Sequence, residues 1–489
     1  MASSGEKIKV VIVHYHLRLG GVTRVIDSAR EALLQSGFDV LVLSGEPARE
    51  GEVSEGVLVV DALRYRKTGS SVVASSLADA LKREAETYFG EKPDVWHFHN
   101  PTLAKNVLIP SVIRELAEEG EKVVLQVHDF AEDGRPGNYS SQRSFFDSEE
   151  SFEETLYPVA SQIHYATINQ RDRDFLKTAG VKKKNLHVIP NAIRPLSVTT
   201  RPEERPFSEK KWLGIYPTRG IRRKNLGELL LLALIYGDRV DFATTLSPEN
   251  PEWSEVHDQW RLAVEEMDLP VTLGIADGDK YRFLDLVGWS DFIVTTSIAE
   301  GFGLAFLEPW TAGKPVIGRD LPEITRDFAN NGLHLKNLYA RIDIPVEWIG
   351  AERIREAIES MLRRSYLAYD VRLPKNAVKK TWKAWVKKGK IDFGVLHEEF
   401  QLEILRLLHQ DRSKIDEIGV PPLDLSTAGE IAARKKMIGE VYGPRAYADQ
   451  MRTLYSRVMQ SNTSRVNHVA TDEVLAQFLD PSRLNLLRD

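Results

Sequence analysis

The chain has 489 residues, of which 42% are hydrophobic and 28% charged, an ordinary globular composition that supplies several cores and predicts two to four domains. It contains no cysteine, which excludes thiol catalysis, disulfides and cysteine metal sites, and its net charge of −6 gives no nucleic-acid footprint. No apolar run is long enough to span a bilayer, and "MASSGEKIKVVIVHYH" lacks the parts of a signal peptide, so a cytoplasmic location is expected.

In chain order, "IKVVIVHY" predicts a first strand. After "HLRLGG", the segment "VTRVIDSAREALLQSG" places Val22, Val25, Ile26, Ala29 and Leu33 at helical spacing, with Gly37 as a stop. "FDVLVLSG", "PDVWHFH", "KVVLQVH", "IHYATIN" and "NLHVIP" predict further strands, with helices such as "VLIPSVIRELAEEG" between most of them. Strands alternating with helices predict a parallel sheet covered on both faces, so residues 1–193 are expected to form one doubly wound domain. The proline-rich stretch 194–207 predicts a linker.

The pattern then restarts over 208–350. "KWLGIYP", "VDFATTLS", "PVTLG", "SDFIVTTS" and "KPVIG" are expected strands, and "LGELLLLALIYG" and "EVHDQWRLAVEEM" helices, giving a second doubly wound domain. Residues 351–489 are charged and helical in pattern, an extension of which part is expected to cross back to the first domain. Within it, "KKTWKAWVKKGK" is strongly basic and carries Trp382 and Trp385, which either dock on an anionic membrane or pack between domains.

Ligands of open parallel sheets bind beyond the carboxyl ends of the strands, and two such domains facing a cleft offer a large site there. Four strand-end loops carry candidate chemistry. Gly20 and Gly21 form either a tight turn or an approach for a ligand to the backbone at a helix N-terminus; the full dinucleotide fingerprint is missing. His128 and Asp129 follow a strand, where the histidine either caps a loop or binds a sugar hydroxyl, and His14, His16, His97 and His99 lie near other strand ends. Arg219, Arg222, Arg223 and Lys224 form a cation cluster suited to a diphosphate, or a solvated basic loop. In "SIAEGFGLAFLEPWTAGKPVIG", Glu300 lies on a loop with Gly301 and Gly303, and Glu308 lies about one turn into the following helix. Two carboxylates at this spacing could grip two polyol units.

These segments, taken together and in this order, resemble the retaining glycosyltransferases of the GT-B fold, in the large family that includes sucrose-forming enzymes and bacterial mannosyl- and glucosyltransferases. The resemblance covers about 1–350. It rests on "EGFGLAFLEPWTAGKPVI", close to the family's Glu-x7-Glu signature, on "DVWHFHN" and "VIPNAI", and on "RGIRRK", which keeps an Arg and a Lys five apart. It implies that Glu300 holds hydroxyls of a donor sugar and Glu308 the nucleotide ribose. The diphosphate would lie on backbone groups of Phe302, Gly303 and Leu304, with Arg219 and Lys224, and under Gly20 and Gly21. His128 would approach the transferred sugar from the acceptor side. Two departures are Pro309, where the family has Ala and where a proline in the first helical turn is tolerated, and Ala192 after Asn191, where it has Gly.

The resemblance further implies transfer of a hexose from a UDP-, GDP- or ADP-sugar, without an obligatory metal, to a hydroxyl of a sugar, sugar-acid, polyol or lipid-linked acceptor. The domains would close about the 194–207 linker to exclude water. A sugar phosphorylase, a nucleotide-sugar epimerase and a non-catalytic nucleotide-sugar-binding protein are the alternatives.

Overall fold

The computed structural model describes residues 7–18, 20–47, 55–67, 73–198, 207, 211–279 and 281–487. The chain divides into two compact units. Unit 1 comprises Met1–Ile193 and Val441–Phe478, and unit 2 comprises Arg194–Glu440 and Leu479–Asp489. Of the expected linker, 194–198 has no regular structure, and 199–206 lies outside the described residues.

Unit 1 is built on strands β1 (Lys9–His14), β2 (Asp39–Ser44), β3 (Val57–Val59), β4 (Val95–His99), β5 (Val123–Val127), β7 (Ile163–Thr167) and β8 (Leu186–Val188), with the short β6 (Pro158–Val159) outside the main sheet. The sheet runs β3-β2-β1-β4-β5-β7-β8, and every pairing in it is parallel. β4, β5 and β7 are buried along their whole length, as a sheet covered on both faces requires.

Unit 2 repeats the plan with β9 (Trp212–Arg219), β10 (Val240–Leu246), β11 (Val271–Thr272), β12 (Phe292–Thr295), β13 (Val316–Arg319) and β14 (Leu338–Tyr339), in the order β11-β10-β9-β12-β13-β14. The helix Leu226–Tyr236, apolar all round, is buried on nearly every residue. In each unit the order reverses beside the first strand, between β1 and β4 and between β9 and β12. These are the two switch points at which such sheets bind ligands.

Residues 351–489 divide between the units and are not wholly helical. β17 (Lys390–Asp392) pairs with both β15 (Asp343–Pro345) and β16 (Val386–Lys387) in a small antiparallel sheet of unit 2. The basic segment is therefore a helix, Ala377–Trp385, that gives way to a hairpin through Lys388 and Gly389, both at positive φ. Trp385 is buried and the Arg355 guanidinium lies 3.9 Å over Trp382, so both rings are occupied within unit 2. No helix among the described residues is long and apolar enough to cross a membrane.

The returning segment completes unit 1. β18 (Asn467–His468) pairs with β6. The helix Pro444–Met459 inserts Tyr447, Met451, Leu454, Tyr455 and Val458 into the core formed by Val10, Ile12, Ile26 and Leu33.

Unit 2 is organised by buried charges. Arg319, at the end of β13, donates to Glu228 at 2.9 Å and to Asp392 at 2.7 Å, and Tyr339 donates to Glu228 at 2.7 Å. All four groups are buried. Removing the cation would strand two carboxylates in a dry interior. Arg319→Met should therefore cost about 3–5 kcal/mol, read as the shift of the denaturant midpoint. A loss below about 1 kcal/mol would show that these groups are solvated in the folded protein.

Candidate active site

The unit-2 site forms where the loops after β9 and β12 meet. After Arg219 the chain makes a tight turn over Arg222–Lys224 and leaves it through Asn225 in the left-handed region (φ 51). Two neighbours fix this turn. Tyr216 Oη donates to the Lys224 carbonyl at 3.1 Å, and Thr296 Oγ1 lies 3.0 Å from the carbonyls of both Lys224 and Asn225. The Ile298 amide donates to the Arg223 carbonyl at 3.0 Å, stitching one loop to the other. Asn225 in turn donates to Glu228 and accepts from Gln401, which ties the turn to the buried charge network.

This scaffold brings Lys224 Nζ to 2.5 Å from Glu300 Oε1. Both side chains are largely buried. Burial alone pushes the Glu300 carboxyl up, but the Lys224 and Arg223 charges more than reverse this and hold it below the usual carboxylate range. Glu300 is therefore an anion at neutral pH, fitted to accept hydrogen bonds from hydroxyls rather than to deliver a proton.

The helix Leu304–Thr311 begins just after Glu300. Gly303 caps it at φ 87, and a Cβ there would lie 2.8 Å from Phe306 Cδ2, so the position requires glycine. The Phe302 ring is buried edge-on against Phe328, which leaves its backbone as the part that could meet a ligand. Leu304 opens the helix, and its first amides face outward from the ladder as an anion-binding end. Gly301 lies between Glu300 and this cap, and Glu308 is the fifth helical residue, half-buried. Pro309 is the sixth helical residue and not in the first turn as expected; its missing N–H removes one bond of the second turn.

The basic loop does not act as one cluster. Arg222 is committed to Glu398 at 2.6 and 2.8 Å and to the Leu486 carbonyl. Arg223 donates to the Ala299 carbonyl. Arg219 pairs with Glu249 on the surface, half exposed, a pair weak enough to yield to a better anion. Of the four, only Lys224 is paired with Glu300.

In unit 1 the strand order gathers histidines that are distant in sequence. His99 Nδ1 lies 2.8 Å from His128 Nε2, with the rings stacked at 5.0 Å. His97 Nδ1 bonds Tyr455 Oη at 2.8 Å, and His14 sits edge-on to His99. Burial first, and mutual repulsion second, hold His14 and His97 at about 3 and His99 well below its usual range. Burial holds His128 at about 4. At neutral pH His128 is an uncharged imidazole, suited to hydrogen-bonding a hydroxyl. Asn100, at φ 52, orients it by accepting from the amides of His128 and Asp129 at 2.8 and 3.0 Å.

Gly20 is extended (φ 177) and Gly21 starts the first helix. A Cβ on Gly21 would meet nothing within 4 Å, and one on Gly20 only a carbonyl at 3.8 Å. No turn demands glycine here, so the open backbone is the property these residues supply. Among the described residues, no three His, Asp or Glu side chains form a group that could hold a metal ion.

Residues 19–195 match the family model described as Glycosyltransferase Family 4. The chain is 24% identical to the mannosylglucosyl-3-phosphoglycerate synthase of Petrotoga mobilis, over 97% of this chain and 98% of that protein. Among solved structures, Anabaena HepE in complex with UDP-glucose (TM-score 0.51, 12% identity) aligns over 92% of this chain and 99% of its own. A glycosyltransferase from Rickettsia africae (TM-score 0.51, 12% identity) aligns over 94% and 100%. The α/β architecture with its parallel sheets is that of the GT-B glycosyltransferase structures.

The loop that carries His128 also holds a buried carboxyl, Glu132. Its Oε1 accepts from Tyr157 at 2.9 Å, while Oε2 has no hydrogen-bond partner among the described residues. Burial pushes it from 4.5 up to about 7. The folded value lies above the unfolded one, so the stability it contributes is full below 4.5 and is lost as pH rises to about 7. The difference is about 3 kcal/mol. Melting curves of Glu132→Gln and the wild type should diverge over this range, with the variant's decline the shallower. Parallel curves would show that Glu132 is ionised throughout.

Proposed function

We propose that the chain is a retaining glycosyltransferase that moves a hexose from a nucleotide-diphosphate sugar to an acceptor hydroxyl. The observation that carries this reading is the Lys224–Glu300 pair, at 2.5 Å, beyond the β9/β12 switch point and immediately before a glycine-capped helix N-terminus. An anion that hydrogen-bonds hydroxyls, a cation and a helix N-terminus lie along one short stretch, which matches the sugar and the diphosphate of such a donor. HepE was solved with UDP-glucose, and the donor class is extended from it to this chain on that chemistry.

In this reading Glu300 holds donor-sugar hydroxyls and Glu308 the ribose. Lys224, Arg219 and the amides of Gly301, Phe302, Gly303 and Leu304 carry the charge that grows on the diphosphate as the C1–O bond breaks. The acceptor oxygen forms its bond to C1 on the face the diphosphate leaves, and its proton passes to a diphosphate oxygen, so configuration is retained. Glu300 is an unsuitable acid because Lys224 keeps it ionised. His128, neutral, hydrogen-bonds the transferred sugar, and Gly20 and Gly21 offer their amides to the phosphates.

Full coverage of the Petrotoga mobilis relative supports a small, soluble acceptor, since its name describes a glycosylated phosphoglycerate. No specific observation favours phosphorolysis, epimerisation or a non-catalytic role.

Melting-point shifts with UDP, GDP and ADP should single out the donor base. With that donor, Glu300→Ala should lower turnover by about 100-fold or more at unchanged secondary structure. Near-normal turnover of the variant would remove Glu300 from the site.

A further inference from the structure

A second group of charges lies at the carboxyl ends of the unit-1 strands, and it is not balanced. Lys105 follows β4 and is half-buried, with Nζ 5.0 Å from the centre of the Tyr65 ring. Tyr65 Oη bonds His16 Nε2 at 2.6 Å, and His16 follows β1. Arg18, Lys67 and Arg135 complete the set. Among the described residues two acids, Glu46 and Asp129, face these cations, and each is taken. Glu46 binds Arg18 and Asp129 binds Arg135, the latter at 2.7 Å. Among the described residues no ion pair includes Lys105 or Lys67.

Lys105 is held in place firmly. Ala104 before it is in the left-handed region (φ 55), a conformation that costs energy for a residue with a Cβ. Asn106 after it is fully buried, and its side-chain amide donates to the carbonyls of Ala62 and Arg64 at 2.8 and 2.9 Å. The Lys105 carbonyl accepts from the Arg66 amide at 2.6 Å. A loop locked this tightly around a lysine that has no ion-pair partner among the described residues is arranged for an anion that comes from outside. Burial first, then the Lys67 and Arg135 charges, pull the Lys105 ammonium below its usual range, the direction expected of a cation that lacks a partner. Asp129, which offsets this in part, is the neighbour of His128, so the basin and this histidine lie at the same carboxyl end of the sheet.

We propose that Lys105, with Lys67, beside the Tyr65 ring, holds an anionic group of the acceptor, a phosphate or a carboxylate. The acceptor is then a charged sugar or sugar acid and not a neutral sugar or polyol. This assignment rests on the glycosyltransferase reading for the word acceptor, but the anion site stands on its own geometry.

The test is isothermal titration of the full chain with 3-phosphoglycerate, glycerate, inorganic phosphate and glycerol, on the wild type, Lys105→Met and Lys105→Arg. The wild type should bind at least one of the anions and not glycerol. Binding of the phosphates alone identifies a phosphate site, and binding of glycerate as well a carboxylate site. Lys105→Met should weaken anion binding by about tenfold or more, and Lys105→Arg should restore most of it. Removal of an uncompensated charge should leave the melting point of Lys105→Met at or above that of the wild type, which separates lost binding from lost folding. Absence of anion binding by the wild type, or equal binding by Lys105→Met, overturns the proposal. Titration of UDP, GDP and ADP on the same wild-type sample reads the donor separately. Nucleotide binding without anion binding breaks only the acceptor assignment, and anion binding without any nucleotide binding breaks the glycosyltransferase reading.

Discussion

The arrangement of unit 2 depends on one guanidinium. Arg319 lies in a dry interior between Glu228 and Asp392, and its flat face packs so closely on Gly394 that a Cβ there would come within 2.3 Å of it. Burial alone would push both carboxyls up. For Asp392 the Arg319 charge more than reverses this and holds it below its usual range, whereas for Glu228 burial still outweighs the cation. The Glu228 carboxylate is therefore the more dependent on its hydrogen-bond donors, and one of these is Asn225. Asn225 closes the turn that ends in Lys224. A chain of contacts thus leads from the end of β13 to the cation beside Glu300, with each link set by the need to satisfy the one before it.

The fold was legible in the sequence because its signals are local. Short β-branched runs alternating with amphipathic or wholly apolar helices specify doubly wound sheets, and the strands appear where "IKVVIVHY", "KVVLQVH" and "SDFIVTTS" place them. The motifs around Glu300 and Lys224 were legible as residues of interest for the same reason. That the two touch was not, because it depends on β9 lying beside β12, and strand order is not written in any one strand. The histidines show the same limit. His14, His99 and His128 each read as a strand-end residue, and only the reversal beside β1 turns them into neighbours.

Other parts were hidden by partners far along the chain. Arg222 looked like one of four phosphate-seeking cations, yet Glu398, with |i−j| = 176, claims it. Glu228, which carries no signal in the sequence, is the buried partner of Arg319. Pro309 was misplaced because the helix already starts at Leu304, after the left-handed Gly303, which leaves the proline in the second turn. The tryptophans of the basic segment had two readings, and the structure buries Trp385 and sets Arg355 over Trp382 within unit 2, contacts that no local pattern announces.

The return of the chain to unit 1 bears on the order in which the protein takes shape during synthesis. Tyr455 fills the core behind β1 and bonds His97 across |i−j| = 358, and Ile193 donates to the Tyr442 carbonyl. Unit 2 is likewise finished late, when the Tyr366 hydroxyl meets the Leu479 carbonyl and Arg222 meets Leu486. The sheet of unit 1 therefore leaves the ribosome with an apolar face that nothing yet covers, and it waits until most of unit 2 has been made for the helix that will cover it. Contacts this distant in sequence close slowly, so the nascent chain passes through a long interval in which β1 and β4 are open to wrong partners. Such a chain has most need of a chaperone before the helix Pro444–Met459 emerges.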